Sequence, residues 1–179
     1  MMHTFHYRLH AHIAPDVNRR ITRDGRIGEV CMVLQRPDGR IWCAAKQYYP
    51  GLIARLLTGG IHPGEQLEDA LLREIAEETG LTPFHVTPLF HVEYQSVVPF
   101  QTFAYLCHVD DTHPVAHDLT EEIAHFEALD AHQLNARAAQ LEELPATHAP
   151  QIGGTWQEWG TFRAVCHRTL SDILINQGL

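Results

Sequence analysis

The sequence lacks the features that mark membrane, secreted and disulfide-stabilised proteins. Its 179 residues contain no apolar stretch that approaches the roughly 18 residues of a membrane helix. The opening residues, MMHTFHYR, contain no apolar core of a signal peptide. The four cysteines form no CxxC pair, which favours reduced thiols and a cytoplasmic protein. There is also no internal repeat and no low-complexity segment, and we expect no membrane partner.

Basic residues are scarce, and they are unevenly distributed. The chain has 13 lysines and arginines against 22 acidic residues, so its formal net charge is −9. This balance argues against a general nucleic-acid-coating protein, and we expect no stable nucleic-acid partner. Residues 1–55 nevertheless carry nine basic and four acidic side chains, whereas residues 56–179 carry four basic and 18 acidic ones. The asymmetry reflects either a solvated acidic surface or two functionally distinct regions.

The hydrophobic patterning predicts strands mixed with helices, which indicates a layered α/β domain. The predicted strands are 3–12, 30–35, 40–46, 84–94, 100–109 and 123–129. A Pro-Asp-Gly sequence at 37–39 predicts a hairpin between the second and third of these. The predicted helices are 67–79, with Gly80 at its C-terminal end; 130 to about 144, with Asp130 as its cap; and a long one from residue 156 onwards. We interpret the intervening segments 14–28, 50–60, 110–122 and 144–155 as loops or linkers.

The most informative segment is residues 59–81, GGIHPGEQLEDALLREIAEETGL. On a helix, Glu74, Glu77 and Glu78 lie at about 0°, 300° and 40°, so the three carboxylates share one face. Like charges in this arrangement destabilise a helix and raise one another's pKa, unless the face is simply solvated. Mg²⁺ and Mn²⁺ prefer oxygen ligands, so the cluster favours a divalent metal site. Arg73 can hold one of the carboxylates by a charge-assisted pair.

This segment resembles the signature of the Nudix hydrolases at every fixed position. The matching residues are Gly59, Glu65, Arg73, Glu74, Ile75, Glu77, Glu78, Gly80 and Leu81. The resemblance implies the Nudix fold, an α/β/α sandwich with a mixed sheet. It divides the chain into an N-terminal strand-and-loop extension (1–27), a Nudix domain (28–144) and a C-terminal linker and helix (145–179) packed on that domain.

The resemblance also implies an activity and a set of site residues. The activity is metal-dependent hydrolysis of the diphosphate bond in a nucleoside diphosphate linked to another group. The implied metal ligands are Glu74, Glu77, Glu78 and the backbone carbonyl of Thr58, with Glu65 as a brace. Arg73 would orient Glu74. A further acid is expected downstream, at Glu121 or Glu122, and Glu122 is our first choice. The general base stays open among Glu74, Glu78 and Glu122.

Residues 46–50 and 57–65 resemble the branch of the family that acts on ADP-ribose and nucleotide sugars. They depart from that pattern at several positions, with Lys46 and Tyr49 in place of arginines and His62 in place of an acid. The candidate substrate-binding residues are Arg36, Lys46, Tyr48, Arg55, Gly59, Gly60 and His62. Each cation among them could instead be an ordinary surface charge, and Tyr48 an ordinary strand-end residue.

Two other functions remain open from the sequence. One is a nucleotide-sensing module of the same fold that binds without turnover, although the signature carries none of the damage that this predicts. The other is a pyrophosphohydrolase of (d)NTPs or dinucleoside polyphosphates. Members of the family often form dimers, so the resemblance also implies a homodimer.

Overall fold

A seven-stranded mixed sheet forms the centre of the protein in a computed structural model that describes residues 4–177. The strands are β1 (Tyr7–His12), β2 (Gly28–Gln35), β3 (Ile41–Lys46), β4 (Arg55–Gly60), β5 (His85–Gln95), β6 (Phe100–His108) and β7 (Ile123–Leu129). Their order across the sheet is β1-β5-β6-β2-β4-β3-β7, with β1–β5 and β2–β6 parallel and the other pairs antiparallel. A small hairpin of β8 (His148–Ala149) and β9 (Gly154–Thr155) lies outside this sheet.

Within residues 4–177, four helices cover the two faces of the sheet. They are α1 (Pro15–Ile21), α2 (Leu67–Thr79), α3 (Ala131–Glu142) and α4 (Trp156–Gln177), and two 3-10 turns occupy Pro50–Leu52 and Leu119–Glu121. Strand β2 is buried along its whole length, and its alternate side chains enter two separate cores. Cys31 and Val33 join the core under α1, α3 and α4, whereas Val30 and Met32 join the core under α2. The predicted α/β/α sandwich is therefore confirmed.

Several local predictions are also confirmed. Helix α2 spans residues 67–79 as the pattern predicts, and it ends at Gly80 in the left-handed conformation (φ 64°). Asp130 caps α3 in a reciprocal capping box with Gln133. The alternation in β1 is visible as half-buried Tyr7 and Leu9 between exposed neighbours, whereas residue 3 of the predicted strand lies outside the described residues.

The segments interpreted as loops include three errors. Residues 15–21 form α1, because Val17 and Asn18 are buried against the rest of the domain. Residues 55–60 form β4, where the glycines that suggested a turn lie in a paired strand. Residues 148–155 include the small β8–β9 hairpin. The predicted hairpin at 37–39 is a turn, but β2 and β3 share only one bridge because β4 lies between them.

The extension predicted at 1–27 contributes to the main sheet, since β1 pairs with β5 in parallel.

All four cysteines are buried and unbridged. Among the described residues, no helix is both long and apolar enough to cross a membrane.

Candidate active site

A cavity of about 360 Å³ lies where β4, α2 and the turn before β7 meet segments from both ends of the chain. Glu74 and Glu78 reach it from α2, and Glu121 reaches it from the 3-10 turn. Lys46, Arg55 and Tyr48 line the same cavity, together with Thr58, Gly59 and Gly60 of β4. Most of the predicted site residues are thus brought together from sequence positions far apart.

Arg73 fixes Glu74, which lines this cavity, together with two carboxylates outside it. Its guanidinium donates to Glu65 (2.8 and 2.9 Å), to Glu74 (2.8 Å) and to Glu77 (3.2 Å). It also donates to the carbonyl oxygen of Gly60 (2.9 Å), which ties α2 to β4. The two hydrogen bonds from Arg73 to Glu65 lower the pKa of that carboxyl to about 2. Glu65 additionally accepts from the backbone N–H of His62, which fits the predicted bracing position.

Gly59 is required by the close approach of Glu74. A Cβ atom at Gly59 would overlap the Glu74 carboxyl group, because that side chain lies directly against the strand backbone. Any larger residue would displace the carboxylate from the cavity. The requirement for glycine at position 59 therefore has a steric cause in the Glu74 side chain.

Glu78 and Glu74 are carboxylates held in surroundings that disfavour their charge. Burial raises the pKa of Glu78 to about 8, and the Glu121 charge and a hydrogen bond between the two carboxyls add to this. Burial likewise raises the pKa of Glu74 despite its bond to Arg73. Burial also acts on Glu121, but Lys46 lowers the pKa of that carboxyl on balance. A protonated Glu78 that donates to an ionised Glu121 accounts for these shifts.

Lys46 is the cation nearest to this carboxyl pair. Its ammonium group bonds Glu121 and lies 3.6 Å from Glu78. Arg55 is buried behind it and donates to the hydroxyl of Tyr49 (2.9 and 3.1 Å) and to Thr58 (3.0 Å). Tyr49 packs in turn on Trp159. Tyr49 is thus part of the wall of the cavity, and Tyr48 is the tyrosine left half-exposed beside it.

The donor set fits a hard divalent cation in its chemistry. The raised pKa values of Glu74 and Glu78 show that nearby cations do not fully offset the burial of their carboxylates. Mg²⁺ and Mn²⁺ favour carboxylate oxygens as ligands. Within residues 4–177, however, no three side chains of the ligand types stand close enough to form a ready metal site. Lys46 pairs with Glu121 and Glu78, so a cation at these two carboxylates would take the place of that ammonium group.

Some predicted site residues lie elsewhere. Glu122 is exposed, because its left-handed backbone (φ 53°) follows the 3-10 turn and directs the chain into β7, so Glu121 and not Glu122 lines the cavity. Arg36 pairs with Asp38 and Asp111 over the ring of Trp42, outside the cavity. The His62 side chain is mainly exposed at the other side of the turn before α2. Glu77 binds Arg73 at the edge and does not line the cavity.

The structure adds residues that no motif indicated. They include the charged and aromatic residues Arg20, Arg23, Asp24, Arg26, Glu29, Trp159 and Arg163, all of which line the cavity. Most of these belong to the segments that the resemblance does not cover. The excess of positive charge in residues 1–55 was the one signal that could have pointed to the three N-terminal arginines.

Comparison with known proteins places the chain in a family. The model of the NUDIX domain matches residues 25–152. An RNA pyrophosphohydrolase from Caulobacter vibrioides is 44% identical over 54 residues, which is 30% of this chain and 31% of that protein. Nucleoside triphosphatase NudI from Klebsiella pneumoniae is 39% identical over 64 residues, covering 33% of this chain and 44% of that protein. The chain therefore spans less than half the length of these relatives.

Solved structures resemble the chain in fold. A MutT NUDIX hydrolase from Burkholderia pseudomallei has a TM-score of 0.51 at 23% identity, over 71% of this chain and 94% of that one. An Ap4A hydrolase from C. elegans has a TM-score of 0.51 at 16% identity, over 78% of this chain and 98% of that one. At these identities the likeness concerns the architecture alone.

Proposed function

Because this chain belongs to the NUDIX family, we propose that it hydrolyses a phosphoanhydride bond in a nucleoside diphosphate linked to another group. The observation that carries the proposal is the placement of Glu74, Glu78 and Glu121 in one cavity that arginines also line. A diphosphate repels an attacking nucleophile through its own negative charge, so a site for its hydrolysis needs both cations and a proton acceptor. The relatives named as pyrophosphohydrolase and triphosphatase support the same reaction class.

We propose that Glu74, Glu77, Glu78 and the carbonyl of Thr58 would hold Mg²⁺ or Mn²⁺. The chemistry that such a cation supplies is neutralisation of phosphate oxygens and activation of water as a nucleophile. Arg73 keeps Glu74 oriented, since its Nη1 donates to that carboxylate. Glu121, whose carboxyl is kept ionised by Lys46, is the group placed to accept the proton of the attacking water, and Glu78 would become an acceptor once a bound cation displaces its own proton.

Two substrate classes fit this proposal. The sequence around Lys46–Pro50 supports ADP-ribose or a nucleotide sugar, and Tyr48 beside the cavity could contact its base. The names of the curated relatives support a triphosphate instead. In both cases water adds across a P–O–P bridge, so that one phosphate gains the hydroxyl and the other leaves with the bridging oxygen.

A panel assay tests the proposal. The full chain is offered ADP-ribose, nucleotide sugars, dinucleoside polyphosphates, NADH, coenzyme A and (d)NTPs with Mg²⁺ or Mn²⁺, and phosphorus-containing products are separated and identified. We expect turnover of at least one compound and its loss when EDTA removes the cation. Tight binding of a compound without turnover of any would contradict hydrolysis and support the nucleotide-sensing module.

A further inference from the structure

The cavity contains more positive charge at its N-terminal side than its own carboxylates neutralise. Arg20, Arg23 and Arg26, which we call the arginine rim, line the cavity together with the carboxylates of α2. Arg20 and Arg23 precede the part of the chain that matches the NUDIX domain, which begins at residue 25. The rim is therefore a feature of this chain beyond the shared catalytic signature.

The position of the rim is fixed by packing. Asn18 of α1 is fully buried and exchanges two hydrogen bonds of 2.9 Å with the backbone of Val98, in the turn between β5 and β6. Val17, beside it, is also fully buried. The Nε atom of Arg20 donates to the carbonyl of Gln151 (3.1 Å), so the helix is tied to the β8–β9 hairpin as well.

Arg26 stands closest to the catalytic segment. Its guanidinium occupies the space that a Cβ atom at Gly60 would need, so the absence of a side chain at Gly60 allows Arg26 to pack there. Gly60 also accepts the hydrogen bond from Arg73. Arg73, which binds Glu74, and Arg26 of the rim thus both contact Gly60.

The other cations of the cavity are already paired. Arg163 donates to both oxygens of Glu29 (2.7 and 2.9 Å), and Lys46 bonds Glu121. In contrast, Arg26 forms no hydrogen bond or ion pair with any residue in the described range 4–177, and Arg20 has the backbone of Gln151 as its partner. Arg23 pairs with Asp24, an exposed acid that also lines the cavity, so Arg20 and Arg26 are the two rim charges without a carboxylate partner in the described part of the chain. The unneutralised charge is concentrated at the rim.

From this placement we infer that the arginine rim binds a third phosphate of the substrate, next to the two joined by the bond that is cleaved. The inference rests on the proposed function. The three guanidinium groups line one cavity and carry the same charge, so a phosphate that enters this side of the cavity gains charge-assisted hydrogen bonds from them. A diphosphate-linked sugar presents neutral hydroxyls there, whereas a 5′-triphosphate presents a charged phosphate. The rim thus selects triphosphate substrates over ADP-ribose.

Two substrates with the same nucleoside test the rim. kcat/KM is measured with ATP and with ADP-ribose for the wild type, Arg26→Gln and the double variant Arg20→Gln/Arg23→Gln. We expect each change to lower kcat/KM for ATP by about tenfold to a hundredfold, and to change that for ADP-ribose by less than about threefold. Arg19→Gln is the matched control, because Arg19 lies exposed on the same helix and pairs with Asp16. A 5′-triphosphate RNA oligonucleotide is assayed beside ATP. A higher kcat/KM for the oligonucleotide identifies the triphosphate as that of an RNA end, and a higher value for ATP identifies it as that of a free nucleotide.

An equal loss of kcat/KM for both substrates, or no loss for either, would contradict binding of a third phosphate by the rim and leave the proposed hydrolysis intact. If the wild type turns over neither compound, binding of inorganic triphosphate and of inorganic diphosphate is measured by calorimetry instead. The rim then predicts that Arg26→Gln weakens triphosphate binding at least about tenfold more than diphosphate binding. Equal weakening, or none, contradicts the rim. If Arg26→Gln fails to fold, the double variant Arg20→Gln/Arg23→Gln still tests the rim, because its two side chains are at least partly exposed.

Discussion

At the residue scale, the site depends on small residues that allow charged ones to approach. Gly59 leaves room for Glu74, and Gly60 leaves room for Arg26. The signature predicted the glycine and the glutamate as separate positions, and only the fold shows that they touch. Glu121 illustrates the opposite limit, because two adjacent acids are indistinguishable in sequence. The backbone of the 3-10 turn decides between them.

The substitution Gly59→Ala tests this steric relation. The added methyl group collides with the Glu74 carboxyl, so we expect kcat/KM to fall at least about tenfold with little change in Tm. A double-mutant cycle provides the control, since Glu74→Ala removes the obstructed group. Additive losses for the two changes would show that Gly59 does not act through Glu74.

At the element scale, strongly periodic segments were predictable and short ones were not. Helix α2 and strand β7 follow the sequence pattern closely, because their apolar residues recur at the spacing of their own structure. Helix α1 has seven residues, too few to show a helical period, and tertiary contacts of Val17 and Asn18 stabilise it. Strand β4 was missed because glycines that serve the site also resemble turn residues.

The change Asn18→Ala tests whether α1 is held by its buried side chain. Loss of the two bonds to Val98 leaves backbone groups unpaired, so we expect the free energy of unfolding to fall by about 1–3 kcal/mol. Urea denaturation measures the change. Asn135→Ala, at an exposed position of α3, is expected to cost less than about 0.5 kcal/mol. Equal losses of unfolding free energy for the two variants would contradict the role of Asn18 in holding α1.

At the scale of the whole molecule, the two ends of the chain complete the domain. Strand β1 extends the sheet, α1 and the segment after it supply the arginine rim, and α4 supplies Trp159 and Arg163 to the cavity. The charge asymmetry seen in the sequence becomes a spatial arrangement, in which basic N-terminal residues face the acidic segment 59–81 across one cavity. Composition could predict that asymmetry but not that its two parts would face each other.

The packing of α4 on the sheet also predicts how stability depends on pH. His167 of α4 is fully buried, and its Nε2 atom accepts a hydrogen bond from the backbone N–H of Leu56 (3.0 Å), which requires a neutral ring. Burial, with the charges of Arg137 and Arg55, lowers its pKa to about 3. Because the unfolded chain takes up a proton near pH 6.5, this contribution is present above that pH and is lost as the pH falls towards 3.

We therefore expect His167 to contribute a loss of about 2 kcal/mol in the free energy of unfolding between pH 7 and pH 5. Denaturation of the wild type and of His167→Gln at both pH values isolates this contribution, since the other titrating groups are common to the two proteins. The wild type should lose about 2 kcal/mol more than the variant. Parallel losses would show that His167 is not held neutral.

The central claim, that buried carboxylates of α2 perform phosphoanhydride hydrolysis, is tested most directly by one rate. Product formation from the best substrate of the panel is compared for the wild type, Glu78→Gln and Glu143→Gln at the same concentration of Mg²⁺. Glu143 is an exposed acid at the end of α3, outside the cavity. We predict that Glu78→Gln lowers kcat by at least about a hundredfold with its fold intact, and that Glu143→Gln has the wild-type rate. A folded Glu78→Gln variant with the wild-type rate would contradict the account.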